Sequence, residues 1–179
     1  MDSQENKTIG VLYRISDILN KIVSQLCVLT IGGMTFVVLL GVLFRYVLRI
    51  PLSWSEELSR YLMIWAASLA ISIGIRENEH VGLTVLLDAA KSKTMRIILG
   101  SIIFLVTLGF LLVMVYYSVE MTIEAKYQLS MGLGMSMVLP SLAIPVSMIL
   151  AVIQLVITHI LNLFRGYAPV SQEKKIIDI

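Results

Sequence analysis

Charged residues are scarce in this chain of 179 residues, and they lie between long neutral stretches. They make up 15% of the sequence, against roughly a quarter in ordinary soluble domains. Hydrophobic residues make up 58% and are collected in runs without Asp, Glu, Lys or Arg. The composition therefore excludes an ordinary soluble domain and predicts an all-α integral membrane protein.

Features of enzymes and nucleic-acid-binding proteins are also missing. The net charge is only +2 and no basic patch is interleaved with aromatic residues, which argues against a nucleic-acid partner. The single cysteine, Cys27, can form no internal disulfide and is expected to be a small buried residue. The sequence contains no H-E-x-x-H motif, nucleophile elbow or cluster of metal ligands. We therefore predict a chain that is not an enzyme and holds no metal or cofactor.

Four segments are long or apolar enough to cross a hydrocarbon core about 30 Å thick. The predicted spans are residues 22–44, 54–75, 97–119 and 137–164, in one domain of residues 1–165 that is followed by a polar tail. An apolar stripe along residues 11–22 predicts an interfacial helix before the first span. Pro140 is tolerated near the start of the fourth span, whereas Pro145 lies deeper and is expected to kink the helix.

The second span opens with "SWSEELSRYLMIW", which sets charges directly against an apolar run. Ser53 and Glu56 fit the S-x-x-E capping box, so a helix is predicted to begin near Ser53. Glu56 and Arg60 are four residues apart, with the acid on the favourable N-terminal side. Trp54 and Trp65 suit the aromatic belt of a membrane interface. These features predict an amphipathic start to the second span, in the headgroup region.

Four charged residues flank the short connection between the first two spans. Arg45 and Arg49 end the first span, and Glu56 and Glu57 begin the second, so each pair complements its helix dipole. We predict that the four form an ion-pair cluster, with Arg60 pairing to Glu56 or reaching a lipid phosphate. The alternative is that each charged side chain extends independently into the headgroups of the membrane lipids.

The distribution of Lys and Arg predicts the orientation. With four spans, ten Lys and Arg residues collect on one side of the membrane and four on the other. The positive-inside rule then places both termini in the cytoplasm and the start of the second span on the outer side.

The spans lack the groups that ion-coupled carriers use. Residues 22–44, 61–75 and 97–119 contain no Asp, Glu, Lys, Arg or His, and the fourth span adds only Gln154 and His159. Carriers usually keep ionisable groups at mid-membrane, so these helices are not expected to carry substrate on their own. Two alternatives stay open: a redox-complex anchor that holds haem between His80 and His159, and a self-sufficient small transporter.

Small residues repeat at four-residue spacing along the second span, at Ala66, Ala70 and Gly74. Such a pattern lets helices approach closely in a membrane. The helix they face lies either within this chain or in a partner subunit.

Several motifs together carry a resemblance to a known family. "FRYV" closes the first span, "WSEELSRYLMIW" opens the second and "RENEHVGL" follows it, while "LPSLAIPVSMIL" begins the last. In order and spacing, the chain resembles the small membrane subunit (DctQ/SiaQ-like) of tripartite ATP-independent periplasmic (TRAP) transporters. One departure is Val146-Ser147 after the second proline, where the family often has Gly.

The resemblance implies a system of three parts in the bacterial inner membrane. A periplasmic binding protein captures an organic acid, such as sialic acid or a C4-dicarboxylate. A large membrane subunit holds substrate and sodium and moves as an elevator. The small subunit packs against the scaffold of the large subunit, so this chain is expected to be a non-catalytic scaffold with no sodium site of its own.

Overall fold

The chain folds into a bundle of long helices. The computed structural model describes residues 3–76 and 92–165, with side chains given for residues 10–76, 92 and 94–163. In chain order the helices are α1 (Ser3–Leu43), which continues into a π-helical turn (Phe44–Leu48), α2 (Ser53–Arg76), α3 (Lys93–Glu124), which continues into a 3-10 turn (Ala125–Tyr127), the short α4 (Val138–Ser141) and α5 (Ala143–Arg165).

Four of these helices are long and apolar enough to cross a membrane, which confirms the predicted fold class. The candidate spans are Gly10–Leu48, Ser53–Arg76, Thr94–Tyr127 and Val138–Leu163. They agree with the hydrophobic runs of the sequence and extend the first and third beyond the predicted bounds. The chain is therefore a multi-pass membrane protein.

The amphipathic N-terminal segment and the first span form one uninterrupted helix. No Gly or Pro falls between residues 11 and 31, so nothing in the sequence ends a helix at their junction. At about 1.5 Å per residue, the 41 residues of α1 reach roughly 60 Å, about twice the thickness of a hydrocarbon core. The part of α1 that precedes Ser16 therefore extends past the end of α2, because Arg76 at that end contacts Ser16.

Helices α2 and α5 form the centre of the bundle. Helix α2 packs against both α1 and α5, and α3 packs against α5. One cluster of buried residues joins α1 to α2 through Val23, Cys27, Ala66 and Leu69. A second joins the end of α2 to α3 and α5 through Ile75, Leu111, Met148 and Ala151. The outer faces of α1 and α3 remain exposed and apolar.

Pro145 explains the break between α4 and α5. Proline has no N–H and its ring clashes with the carbonyl four residues earlier, here that of Ser141. The helix is interrupted by a turn at Leu142. The released Ser141 carbonyl instead accepts a hydrogen bond from Thr122 Oγ1 of α3 at 3.3 Å. The interruption therefore ties the start of α5 to α3. Pro140 lies buried in α4.

Candidate functional site

One end of the bundle gathers most of the charged residues singled out in the sequence. Helix α1 ends in the π-helical turn, and Arg49 follows it in a left-handed conformation with φ of 58°. The Phe44 carbonyl accepts the backbone N–H groups of Arg49 and Ile50, the latter at 3.1 Å. This geometry turns the chain sharply, so that α2 begins only a few residues later beside the end of α1.

An ion pair joins these two helix ends. Arg45 Nη2 donates to Glu56 Oε1, and each side chain is 53% exposed. Below the pair the helices approach closely: a Cβ placed on Gly41 would lie 2.7 Å from Ser55 Oγ. The hydroxyl of Ser55 donates to the Leu52 carbonyl at 2.8 Å and is buried. The sequence-based pairing of the first and second spans is therefore present through one arginine and one glutamate.

Glu57 binds a different element from the one predicted. Its Oε2 accepts the backbone N–H groups of Gly132 at 2.7 Å and Leu133 at 3.1 Å. Its Oε1 accepts the hydroxyl of Tyr61 at 2.5 Å, and the Ser130 hydroxyl also bonds to the carboxylate. The predicted four-residue ion cluster is wrong in this respect. Adjacent helical residues point about 100° apart, so Glu56 faces α1 while Glu57 faces the loop before α4.

The loop that Glu57 holds is a small hairpin, residues 128–137. Leu129 and Ser136 form an antiparallel bridge, and Ser130 N–H donates to the Met135 carbonyl at 2.8 Å. Gly134 supplies the left-handed residue of the turn, with φ of 64°. At Gly132 an added Cβ would lie 2.6 Å from Glu57 Oε2. We call this arrangement, Glu57 with Tyr61, Ser130, Gly132 and Leu133, the Glu57 clasp.

Sequence reasoning missed the clasp because its hairpin partners, Ser130, Gly132 and Leu133, are 73 to 76 residues from Glu57 along the chain. Two of the donors are backbone amides, which carry no residue-type signature. The available signal was the "MGLG" segment at residues 131–134, since glycines in a short connection allow turns and close backbone approach.

The remaining arginines of this end make no ion pair with any residue in the two described ranges. Arg49 and Arg60 are both exposed. Within the described ranges, the ion pairs are Arg45 with Glu56 at this end and Arg76 with Asp17 at the other end. The prediction that Arg49 belongs to an ion-pair cluster is therefore wrong, and so is the predicted pairing of Arg60 with Glu56. Trp54 lies at the exposed start of α2.

Along α2, the small residues divide between two environments. Ala66 is buried, and its carbonyl lies 3.6 Å from Cys27 Sγ of α1. Trp65 packs on the same cluster. Ala70 is exposed, and no atom lies within 4 Å of a Cβ placed on Gly74. Within the described residues, Ala66 thus packs inside this chain, whereas Ala70 and Gly74 leave an open surface.

A second polar cluster lies at the other end of α2. Arg76 Nη2 pairs with Asp17 at 2.6 Å, and Arg76 Nε lies 3.3 Å from Ser16 Oγ. The same hydroxyl accepts Gln154 Nε2 of α5 at 2.8 Å, and the Gln154 side chain is fully buried. This Ser16 node, made of Ser16, Asp17, Arg76 and Gln154, connects three helices.

Of the two histidines in the sequence, only His159 lies within the described residues, and His80 lies outside them. The ring of His159 stacks on Phe104 of α3 with centroids 3.9 Å apart and planes 10° apart. Among the described residues no group of three His, Cys, Asp or Glu side chains is arranged to hold a metal ion.

The sequence matches a known family of transporter components. Residues 34–166, well over half of the chain, match the family of tripartite ATP-independent periplasmic transporters, DctQ component. The chain belongs to this family. The DctQ family is a transporter component. The quoted motifs and helices α2 to α5 all fall within the matched region, whereas α1 enters it only at residue 34.

Individual relatives agree with the family match. A TRAP transporter small permease protein of Haemophilus influenzae is 36% identical over 78 residues, 44% of this chain and 48% of the relative. SiaT, a sialic acid TRAP transporter permease protein of Haemophilus influenzae, is 26% identical over 148 residues, 79% of this chain and 24% of SiaT. SiaQ, a sialic acid TRAP transporter small permease protein of Vibrio cholerae, is 29% identical over 136 residues, 75% of this chain and 76% of SiaQ. The chain thus spans about half the length of the first relative and about a quarter of the second.

Proposed function

We propose that this DctQ-family chain is a non-catalytic small permease subunit that scaffolds a large sodium-coupled membrane subunit. The transporter takes up an organic acid that a periplasmic binding protein delivers. Sialic acid is the first substrate to test, since two of the relatives are named as sialic acid transporters, and a dicarboxylate is the second.

The observation that supports the proposal is the lack of ionisable side chains in the middle of the spans. The amide nitrogen of Gln154 is bound to Ser16, and the buried hydroxyls of α2 lie where helices meet. Cys27 is buried against α2. Residues 22–44, 61–75, 97–119 and 138–158, the middle parts of the four spans, contain no Asp, Glu, Lys, Arg or His, the groups that ion-coupled carriers usually keep at mid-membrane.

The exposed surfaces support the scaffold role. The most apolar stretch of α1 buries none of its residues within this chain, and α3 is nearly as open. Together with the open strip at Ala70 and Gly74, they offer broad apolar faces for lipid and for a larger membrane partner. Packing along one such face would thicken the fixed frame against which a transport domain moves.

Reconstitution tests the proposal. Proteoliposomes should be prepared with this chain alone, the large subunit alone, and both together, each with the binding protein and a sodium gradient. We expect uptake to require both membrane subunits, with a stable complex on co-purification. Sodium-dependent uptake by this chain alone would overturn the scaffold role. An absorption band in the visible range would contradict the expected absence of a cofactor.

We further propose that the chain lies in the inner membrane with both termini in the cytoplasm. Met131 at the tip of the hairpin is fully exposed, so Met131→Cys in a Cys27→Ala background gives an accessible label. The matched position at the other end of the bundle is Lys21, which is also exposed. An impermeant thiol reagent outside the cell should label the first site and not the second, and the reverse pattern would refute the orientation.

A further inference from the structure

A cleft of about 240 Å³ lies between the end of α1 and the start of α2. The side chains that line it are apolar at one end and charged at the other. Val38 and Val42 line the part nearer the middle of α1, and Leu52 adds a third apolar side chain. Arg45 and Glu56 line the part at the helix ends. Val38 lies seven residues before Arg45, which is about 10 Å along a helix. The cleft is therefore amphiphilic, with its apolar part toward the membrane interior.

The backbone beside the cleft is unusual. The π-helical turn holds Arg45 and Tyr46, and the left-handed Arg49 ends it. π-helical segments and left-handed residues other than glycine are uncommon, and both concentrate at functional sites. Ser55, buried against Gly41, forms part of the cleft wall and keeps the two helices at fixed separation. A preformed cleft of this kind needs little rearrangement to accept a ligand.

The polar mouth presents both signs of charge. One nitrogen of Arg45 and one oxygen of Glu56 bind each other, while about half of each side chain stays exposed. Glu56 Oε2 and the other guanidinium N–H groups have no hydrogen-bond partner among the described residues. A ligand can therefore place an anion on the arginine and a cation on the glutamate at the same time.

We propose that this cleft binds one phospholipid of the ethanolamine type. Its phosphate would accept from Arg45, its primary ammonium would donate to Glu56, and an acyl chain would run along Val38 and Val42. Guanidinium donors match phosphate geometry, and charge-assisted hydrogen bonds are the stronger ones. A choline headgroup has no N–H to donate to Glu56. A glycerol headgroup carries the anion without the cation and meets the unbalanced charge of the glutamate.

Native mass spectrometry tests the assignment. The full-length chain, purified with any membrane partner that it retains, should be offered phosphatidylethanolamine, phosphatidylcholine and phosphatidylglycerol with identical acyl chains. We expect the ethanolamine lipid to be retained about tenfold better than the other two, the order of one charge-assisted hydrogen bond. Arg45→Gln should lower retention of all three lipids, whereas Glu56→Gln should remove the preference for the ethanolamine lipid over both the choline and the glycerol lipid.

Two matched variants control for general loss of charge. Arg14→Gln and Glu120→Gln remove exposed charges that lie outside the cleft, and both should retain lipid as the wild type does. Equal retention of all three lipids by every variant would overturn the proposal. Preferential retention of phosphatidylglycerol would also overturn it, as would a complex in which a polypeptide segment fills the cleft.

Discussion

The Glu57 clasp makes a sharp prediction at Gly132. In Gly132→Ala the new Cβ would lie 2.6 Å from Glu57 Oε2 and 3.2 Å from the Ser53 carbonyl oxygen. The first contact is too short to persist, so the glutamate side chain must swing away and release the amides of Gly132 and Leu133. Losing these two backbone donors to the carboxylate should cost about 1–3 kcal/mol. We expect a lower free energy of unfolding in detergent and faster hydrogen exchange at the Leu133 amide.

The matched control is Gly109→Ala. Gly109 lies in the exposed part of α3 with no atom within 4 Å of an added Cβ. Alanine is the better helix former, so this change should be neutral or stabilising by up to about 1 kcal/mol. Hydrogen exchange at Leu133 should then match that of the wild type.

A second background distinguishes the clasp from simple crowding. In Glu57→Ala the closest atom to the new Cβ is gone, so Gly132→Ala should add little further destabilisation. If Gly132→Ala costs as much in that background, the obstacle is the Ser53 backbone and the clasp does not govern the hairpin. Wild-type exchange at Leu133 in the single variant would refute the reasoning outright.

Three further predictions concern the other polar contacts, each read out by unfolding in detergent. Ser16→Ala should cost about 1–3 kcal/mol because it leaves the buried Gln154 amide without its acceptor. Thr35→Val, which removes only a bond to its own helix, should cost much less. The single charge reversals Arg45→Glu and Glu56→Arg should each cost no more than about 1 kcal/mol, and the double reversal should restore part of it, since the pair is half exposed. A larger single effect, or no recovery in the double, would rule out simple pairing. Thr122→Val should destabilise the wild type by about 1 kcal/mol and do less in Pro145→Ala, where a restored N–H can reach the Ser141 carbonyl. Equal losses in both backgrounds would show that the Thr122 bond does not replace the missing one.

Much of the architecture could be predicted from the sequence, because the bilayer imposes simple rules. The need to satisfy every backbone group in lipid turns each long apolar run into a helix, so four runs predict four helices. The pairing of Arg45 with Glu56 was also accessible, since a short connection forces the two helix ends together. The single long α1 follows from the lack of a helix breaker between the predicted interfacial helix and the first span that follows it.

The contacts that could not be predicted join residues far apart in sequence. Gln154 meets Ser16 across 138 positions, and Glu57 meets the hairpin across about 75. Hydrophobic periodicity shows which face of a helix is apolar, but it does not give the rotation of one helix against another. Which partner each of two adjacent glutamates faces depends on that rotation, and this is why the sequence pattern alone places Glu57 in the wrong cluster.

The position of the polar contacts explains how a chain with so few charges can hold a defined arrangement of helices. In lipid, apolar surfaces gain little by meeting each other rather than acyl chains, so apolar packing alone does not fix the depth or rotation of a helix. Helix α2 is held by Glu56 and Glu57 at its start and by Arg76 at its end, positions about 28 Å apart along the helix. Between them, small residues such as Ala66 and Ser72 allow close approach without adding charge to the membrane interior. The polar groups thus fix the frame from its two ends, and the outer faces of α1 and α3 stay apolar for lipid and for the larger subunit that we propose.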